Sequence, residues 1–250
     1  MDFATYKRDV WGREVILGAS WDLLWVVVVL AFVFIAVHAV VMAARKREER
    51  PSSEGTQVPR HAGVDRAFHW IMAVSVFVLM ITGVLPIIGI EFAWLTIHWI
   101  AGLVLTAVVA FHILRSFTQD FLSIWITPKD LGELTDSVKP GKYSLAQKSM
   151  HLAVTVLTLL VIGSGIVMFS MIDTPWWERT NSIPESTLGW VFLIHGLSTL
   201  ALIGVVSLHV YFSLRPEKLF YTRSMVKGWI SEHELRANHD PEQWSPKESA

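Results

Sequence analysis

The sequence predicts an all-α integral membrane protein with five transmembrane helices. Of its 250 residues, 52% are hydrophobic and only 17% are charged, and the mean hydropathy is +0.45, as is typical of a membrane protein. Five apolar runs reach the length of about 20 residues that a helix needs to cross the hydrocarbon core. These runs are Trp21–Ala43, Phe68–Ile88, Phe92–Phe117, Met150–Met171 and Leu188–Leu214.

The first run is predicted to be a retained anchor. It begins only at Trp21, is longer than the apolar region of a signal peptide, and is followed by Arg45, Lys46 and Arg47 instead of a small-residue cleavage site. The chain then divides into three parts. These are an N-terminal segment with an extra helix at 1–50, a region with the other four helices at 60–220 and a C-terminal tail at 221–250, whose end at 241–250 we expect to be frayed.

The positive-inside rule predicts an outer N-terminus and a cytoplasmic C-terminus. Lys and Arg are frequent after the first run, after the third run and in the tail, whereas 89–91 has none and 172–187 has only Arg179. Near the N-terminus Lys7, Arg8 and Arg13 oppose this orientation, but acidic neighbours accompany them. The cytoplasmic set is Arg45, Lys46, Arg47, Arg50, Arg60, Arg66, Arg115, Lys129, Lys139, Lys142, Lys148, Arg215, Lys218, Arg223 and Lys227.

Two pairs of histidines share one spacing inside the apolar runs. His98 and His112 lie fourteen residues apart in the third run, as do His195 and His209 in the fifth. On a helix, such side chains project within about 40° of each other and lie about 21 Å apart along the axis. Imidazole is costly to hold in hydrocarbon without a partner, and iron bound by two histidines offsets that cost. The spacing therefore predicts two stacked haems, one near each membrane surface.

Cysteine is absent from the chain. This excludes thiolate-held iron–sulfur clusters and covalent haem attachment, so the predicted cofactor is haem b and the electrons come from a partner. No GxSxG, HExxH or glycine-rich nucleotide motif occurs, and we predict no catalytic residues in the chain itself. The net charge of −1 gives no reason to expect nucleic acid as a ligand.

Each haem is assigned a level in the membrane. His98 and His195 form the natural axial pair of an outer haem. At the inner level stand His69, His112, His151 and His209, of which only two are needed, and sequence symmetry favours His112 with His209. A haem-free anchor or transporter is the competing class, and it is disfavoured because the centres of the third and fifth runs carry no Asp, Glu, Lys or Arg.

Other residues have less specific interpretations. We interpret His38 as a hydrogen-bonded structural residue, and His61, His233 and His239 as solvated residues of polar segments. The glycines at 102, 196 and 204 admit either a flat macrocycle or close helix packing. The arginines at 66 and 115 could bind haem propionates, although we prefer them as topology markers.

Several motifs together resemble one family. The stretch RAFHWIMAVSVFVLMITG, the opening IHWIAG, the run GKYSLAQK, the His195/His209 pair and the tail RSMVKGWISEHELRANHDPEQW resemble the cytochrome b (gamma) subunit of respiratory membrane-bound formate dehydrogenases. The resemblance covers about residues 60–245 and extends to the b-type cytochromes of nickel–iron hydrogenases and molybdopterin oxidoreductases. It implies a dihaem four-helix bundle of helices 2–5 in the cytoplasmic membrane of a bacterium or archaeon.

The resemblance also implies a ligand set. The family pairs the histidines matching His98 and His195 on the outer haem, and those matching His69 and His209 on the inner haem. His112 remains an alternative inner ligand on sequence symmetry, although the family generally has no ligand at that position. His151 stands where the family has an aromatic residue, which favours a packing or quinone-side role.

Partners follow from the same resemblance. It implies an iron–sulfur subunit and a molybdenum or tungsten catalytic subunit on the outer face, and a quinone beside the inner haem. The docking surface would be built from 172–187 and the turn at 89–91, with the N-terminus as a further candidate element. The quinone residues would be Ser144, Ala146 and His209, with Ser and Ala replacing a family Asn and Gly. Alternatively, Ser144 caps the fourth transmembrane helix while Lys148 marks the membrane edge.

The predicted function is transfer of electrons from the outer partner through two haems b to quinone near the cytoplasmic side. The sequence leaves open whether the complex forms a higher oligomer. The alternative function is that of the cytochrome b subunit of a nickel–iron hydrogenase or of another molybdopterin oxidoreductase, such as a thiosulfate reductase.

Overall fold

A computed structural model describes residues 2–45, 51–118, 121–135 and 137–244. Lys46, Arg47 and Arg50 of the topology argument, and the end of the tail at 245–250, lie outside the described residues. The helices, in chain order, are α1 (Leu23–Ala44), α2 (Gly63–Ile87), α3 (Trp94–Thr118), α4 (Phe121–Ile124), α5 (Leu145–Phe169), α6 (Glu185–Ser213), α7 (Leu219–Lys227) and α8 (Glu232–Asn238).

Five of these helices, α1, α2, α3, α5 and α6, are long and apolar enough to cross a membrane. A bilayer core cannot hydrogen-bond the backbone, so an apolar run of this length is stable there as a helix. Large apolar side chains also remain exposed on α1, such as Phe32 at 71% and Val40 at 68%, as expected of a surface that faces lipid. The prediction of an all-α, multi-pass membrane protein is confirmed.

The helix boundaries differ from the predicted runs mainly at polar first turns. Helix α5 begins at Leu145 instead of Met150, and α2 begins at Gly63 instead of Phe68. Hydropathy detects the apolar stretch of a helix, whereas its first turn is determined by capping groups. At its other end, α2 has Pro86 in the last turn and is followed by Gly89, which has a φ of 88°.

Two short antiparallel sheets were not predicted. Strands β1 (Ala4–Arg8) and β2 (Glu14–Ala19) form an N-terminal hairpin, and β3 (Gln57–Pro59) pairs with β4 (Trp229–Ser231). The Asp9 carboxylate closes the hairpin turn by accepting the backbone N–H groups of Trp11 and Arg13. Both sheets are too short to give a period-two signal in the sequence.

The described residues divide into two compact units. The first unit comprises the described residues of Met1–Ala36, Ser75–Thr106 and Val154–Ser207. Its core is formed by Leu24 of α1 with Leu200 and Ile203 of α6, against which Met80 and Val84 of α2 pack.

Glycines of α6 allow the N-terminal hairpin to approach closely in this unit. A Cβ on Gly189 would lie 1.9 Å from the carbonyl oxygen of Ile16, and one on Gly196 would lie 2.6 Å from the Cβ of Ala19. A Cβ on Gly204 would likewise lie 3.4 Å from a methyl group of Val27 in α1. Of the two interpretations of Gly196 and Gly204, the structure therefore supports close packing.

The second unit comprises the described residues of Val37–Val74, Ala107–Ala153 and Leu208–Ala250. Phe220, Ile230 and Leu235 are buried together, and Trp244 packs against them. We expected the chain to fray from Pro241 onward. For the residues up to Trp244 this expectation is wrong, because the indole ring of Trp244 packs against the apolar cluster. Helix α8 is fixed by a capping box between Ser231 and Glu234.

Candidate functional site

Two histidines face each other in the first unit. The imidazole rings of His98 on α3 and His195 on α6 have centroids 6.4 Å apart, with ring planes inclined by 62°. Both rings are half-buried. The structure thus brings together the two side chains that the sequence assigned to the outer haem.

A hydroxyl group holds each of these rings. Nδ1 of His98 lies 2.8 Å from Oγ1 of Thr82, and Nδ1 of His195 lies 3.0 Å from Oγ of Ser164. Each hydroxyl is also 2.6–2.7 Å from the carbonyl oxygen four residues earlier in its own helix, that of Val78 or Leu160.

These contacts determine the tautomer of both histidines. A hydroxyl has one hydrogen, and the helix carbonyl accepts it, so the hydroxyl oxygen must accept the Nδ1–H of the imidazole. The Nε2 lone pair of each ring is then available to a metal. The hydroxyls of Thr82 and Ser164 therefore leave Nε2 of His98 and His195 free to act as a metal ligand.

Each hydroxyl residue is followed by a glycine that lies beside the same histidine. A Cβ on Gly83 would lie 3.6 Å from Cε1 of His98, and one on Gly165 would lie 3.6 Å from Cε1 of His195. Roles for Thr82, Gly83, Ser164 and Gly165 were not predicted from the sequence. A detectable signal existed, because Thr82 follows His69, and Ser164 follows His151, by the same thirteen residues.

The four inner histidines form two pairs in the second unit. The rings of His69 on α2 and His209 on α6 have centroids 6.4 Å apart and planes inclined by 60°. The rings of His112 on α3 and His151 on α5 have centroids 6.0 Å apart and planes inclined by 72°. The ring that faces His209 is therefore that of His69, and His112 faces His151.

His112 has a distinctive environment. The Phe68 ring packs on it with centroids 4.6 Å apart. Its Nδ1 is buried and, within the described part of the chain, has no hydrogen-bond partner. A buried polar atom without a partner destabilises the fold by about 1–3 kcal/mol, so it calls for an explanation.

The remaining histidines fall into different classes. His38 accepts a hydrogen bond from Arg215 at 2.9 Å and contacts the Tyr211 hydroxyl at the same distance, which confirms its structural role. His233 is exposed, as expected. His239, however, is fully buried, so its assignment as a solvated residue is wrong, and His61 is only half-exposed.

His239 is buried because it binds a buried arginine. Its Nδ1 donates to the carbonyl oxygen of Gly141 at 2.6 Å, so its Nε2 accepts from the Arg60 guanidinium at 2.9 Å. Arg60 also donates to the carbonyl oxygen of Lys142 at 2.6 Å and lies over the Tyr221 ring, 4.7 Å from its centroid. We call these residues the Arg60 cluster, and it joins the tail to the segment before α5.

The electrostatics of the Arg60 cluster follow from its burial. Desolvation, and then the charge of Arg60, lower the pKa of His239 to about 4 and that of His61 to about 3. Burial raises the pKa of Tyr221 to about 12, although Arg60 opposes this shift. Both histidines are therefore neutral near pH 7 and Tyr221 keeps its proton.

The segment assigned to quinone begins α5. Ser144 caps this helix, because its Oγ accepts from the backbone N–H of Gln147 at 3.3 Å while the Gln147 side chain accepts from the N–H of Ser144 at 3.0 Å. Ala146 is exposed and Ser144 is half-buried. The helix-capping interpretation of Ser144 is thus confirmed, and the hydroxyl retains a hydrogen that it can donate.

A buried ion pair follows in the first turn of α5. Nζ of Lys148 lies 2.7 Å from Oδ1 of Asp130, and the two side chains are 9% and 6% exposed. Asp130 also accepts from the backbone N–H and the hydroxyl of Thr127. Although burial acts in the opposite direction, these hydrogen bonds and the ammonium hold the pKa of Asp130 below its usual value.

The two arginines considered for haem propionates have protein partners. Nε of Arg115 binds Oδ1 of Asp65 at 2.8 Å, and Arg66 donates to the carbonyl oxygen of Val226 at 2.6 Å. Nε of Arg66 is buried and, among the described residues, lacks a hydrogen bond. The described contacts fit the preferred interpretation of these arginines as residues of the inner surface.

Comparisons with known proteins identify a family and several relatives of the chain that carries these histidine pairs. A family model described as prokaryotic cytochrome b561 matches residues 60–228, which is more than half of the chain. The chain is 24% identical over 205 residues to the formate dehydrogenase, cytochrome b556 subunit, of Haemophilus influenzae, covering 75% of this chain and 82% of the relative. It is 21% identical over 204 residues to the formate dehydrogenase, cytochrome b556(fdo) subunit, of Escherichia coli K12, covering 73% and 90%.

Proposed function

Because the chain belongs to the prokaryotic cytochrome b561 family, whose cofactor is b-type haem, we propose that it carries electrons across a membrane in a formate dehydrogenase-like complex. In this proposal, residues 60–220 hold two haems b, an outer one on His98 and His195 and an inner one on His69 and His209. Electrons enter from an outer partner and leave to quinone near the cytoplasmic side. The membrane would be the cytoplasmic membrane of a bacterium or archaeon, with the N-terminus outside.

The observation that carries the proposal is the geometry of His98 and His195. If one nitrogen of each ring held a metal atom at about 2 Å, with about 1 Å from each nitrogen to its ring centre, the two imidazole centroids would lie about 6 Å apart. The observed separation is 6.4 Å. Haem b, when bound there, supplies one-electron exchange at its iron. The chain contributes the ligands, their orientation through Thr82 and Ser164, and exclusion of water.

The inner assignment to His69 and His209 is supported by the same measure. Their centroids are also 6.4 Å apart, with a similar inclination of 60°. The alternative of His112 with His209 has less support, because the ring that His112 faces belongs to His151. The inner haem would therefore be bound by the first helix and the last helix of the haem-carrying region.

The relatives support the nature of the partners. Both are named as subunits of formate dehydrogenase, which suggests an iron–sulfur subunit and a molybdenum or tungsten catalytic subunit on the outer face. Exposed tryptophans suit such an interface, and Trp11 of the hairpin turn is 79% exposed while Trp176 is 65% exposed. We propose that these two rings belong to the docking surface.

The quinone is proposed to bind at the start of α5 and at His209. The Ser144 hydroxyl can donate its hydrogen to a quinone carbonyl while its oxygen caps the helix. Ala146 is exposed, and its small side chain leaves room beside it. Protons for the reduced quinone would come from the cytoplasmic side.

Purification of the tagged chain with its native companions tests the proposal. We expect a dithionite-reduced minus oxidised spectrum of b-type haem, and iron–sulfur and molybdopterin subunits identified by mass. His98→Leu and His195→Leu should each remove the same spectral component, whereas His233→Leu, an exposed control, should leave the spectrum intact. A preparation with its companions present but no acid-acetone-extractable porphyrin would overturn the proposal, and hydrogenase subunits as companions would replace the proposed donor.

A further inference from the structure

The His112–His151 pair is not used by the proposed function. Its ring centroids are 6.0 Å apart, close to the 6.4 Å of the two pairs assigned to haem. One member, His112, is half-buried, and the other, His151, is exposed on α5. The pair therefore has the separation of an axial ligand pair and is open on one side.

An internal repeat relates this pair to the inner haem pair. His69 precedes Thr82 in α2, and His151 precedes Ser164 in α5, by thirteen residues. His98 precedes His112 in α3, and His195 precedes His209 in α6, by fourteen residues. Under the repeat, His69 corresponds to His151 and His209 corresponds to His112.

The repeat therefore generates two inner pairs but only one outer pair. His98 and His195 correspond to each other, so their pair maps onto itself. The His69–His209 pair maps instead onto the His151–His112 pair, and the structure contains both. Whatever cofactor the first inner pair binds, the second has the same residues at equivalent positions of the repeat.

The spacing of the rings selects the class of ligand. A quinone hydrogen-bonded by both imidazoles would separate the two nitrogens by roughly 10 Å, because two hydrogen bonds of about 2.8 Å flank carbonyl oxygens about 5 Å apart. Ring centroids 6.0 Å apart are too close for that arrangement. They leave room for one metal atom between the rings.

A metal atom between these two rings would need further ligands, which the described residues do not provide. Among the described residues, no group of three or more His, Cys, Asp or Glu could hold a metal ion, and a free zinc or copper ion needs about four protein or water ligands. Iron in a porphyrin already has four nitrogens and requires only two axial imidazoles. Nδ1 of His112 is buried and, within the described residues, has no hydrogen-bond partner, so no described protein group fixes the tautomer of this ring as Thr82 fixes that of His98.

We propose that His112 and His151 are the axial ligands of a third haem b, at a second inner site. The proposal rests on the proposed function, since it extends the assignment of His69 and His209 to their repeat-related pair. Reduction of a quinone needs two electrons, and a second inner haem would let the second unit hold both.

The test is the haem content of the complete complex, measured per mole of this chain. Pyridine haemochrome and iron analysis should give about three haems per chain, and electron paramagnetic resonance of the oxidised complex should show about three low-spin ferric components. His112→Leu and His151→Leu should each leave about two haems, and the double variant should also leave about two. His233→Leu is the matched control for removal of an imidazole outside any pair.

The possible outcomes separate this inference from the proposed function. About two haems per chain in the unmodified complex, unchanged in His112→Leu and His151→Leu, would overturn the third haem and keep the two proposed sites. Suppose instead that the complex holds two haems and that the inner one is lost in His112→Leu and His151→Leu but kept in His69→Leu. That result would also overturn the third haem, and it would assign the inner haem to His112 and His151. A complex without haem would refute both proposals.

Discussion

The Thr82 hydroxyl lies 2.8 Å from Nδ1 of His98 and donates its own hydrogen to the Val78 carbonyl oxygen at 2.7 Å. A residue of α2 thereby determines which nitrogen of a histidine on α3 is free to act as a ligand. Ser164 on α5 does the same for His195 on α6. The candidate outer site is thus built from four helices, of which two supply ligands and two supply the groups that orient them.

Replacing this hydroxyl should alter the outer haem without removing its ligand. In Thr82→Val the shape of the side chain is kept, but Nδ1–H of His98 loses its acceptor. Such outer-shell changes weaken cofactor binding about 10- to 100-fold, and the less basic imidazole should raise the midpoint potential of the outer haem. Potentiometric titration of the complex measures this change, and Thr82→Ser should restore the original potential. Equal potentials in the Val and Thr proteins would contradict the assigned role.

Position 165 should tolerate only small residues in place of glycine. A Cβ there would make only an ordinary contact with His195, at 3.6 Å, so Gly165→Ala should keep the haem. Gly165→Leu should displace the imidazole and lower the haem content by about one haem per chain. Gly163→Leu is the matched control, because nothing lies within 4 Å of the Cβ position of Gly163. Haem loss in the control alone would show that Gly165 does not shape the site.

The sequence predicted the helices because length and hydropathy suffice in a bilayer. It also predicted that His98 and His195 share a level, because helical spacing determines position along the axis, and the structure brings these two rings together. It did not predict the partner of His112, since that depends on which helix lies opposite. The environment of His239 was missed for a related reason. Its neighbours in sequence are polar, but Arg60 and the Gly141 carbonyl, distant in sequence, bury it.

The N-terminal hairpin should detach when α6 loses a glycine. In Gly189→Ala the new methyl carbon would lie 1.9 Å from the Ile16 carbonyl oxygen, a distance that only movement of the strand can relieve. Trypsin should then cleave faster at Arg8 and Arg13 in the hairpin. The control is Gly204→Ala, whose methyl carbon would lie 3.4 Å from Val27. If the hairpin helps to dock the outer partner, Gly189→Ala should also lower the yield of the copurified complex. Unchanged cleavage in Gly189→Ala would show that the hairpin does not depend on this contact.

Acid should loosen the packing of the tail against the Arg60 cluster. Burial, and then Arg60, lower the pKa of His239 from 6.5 to about 4, so between these values the unfolded tail binds more protons than the packed tail. The packing therefore keeps its full stability above about pH 7 and loses up to about 3 kcal/mol as the pH falls from 6.5 to 4. Amide hydrogen exchange in residues 229–244, corrected for its intrinsic pH dependence, measures this loss.

A variant of the same residue isolates the titration. His239→Asn keeps a donor for the Gly141 carbonyl oxygen but has no pKa in this range, so its corrected exchange should change much less between pH 7 and pH 4. His233→Asn, at an exposed histidine, should keep the acid dependence of the unmodified protein. An equally steep acid response in His239→Asn would assign the effect to another group.

The buried Lys148–Asp130 pair should stabilise the fold, because each side chain neutralises the buried charge of the other. Lys148→Met leaves the Asp130 carboxylate buried with only the Thr127 hydrogen bonds, and loss of one partner of such a pair destabilises a fold by about 3–5 kcal/mol. Lys148→Met combined with Asp130→Asn removes both charges and should recover most of that loss. Thermal unfolding of the three proteins in detergent, followed by circular dichroism, gives the comparison. Because Lys148 lies in the first turn of α5, the single variant should also impair quinone reduction, and the double variant should restore part of it. A midpoint for Lys148→Met equal to that of the unmodified protein would show that the pair contributes nothing net, since the desolvation of two charges can cancel their attraction.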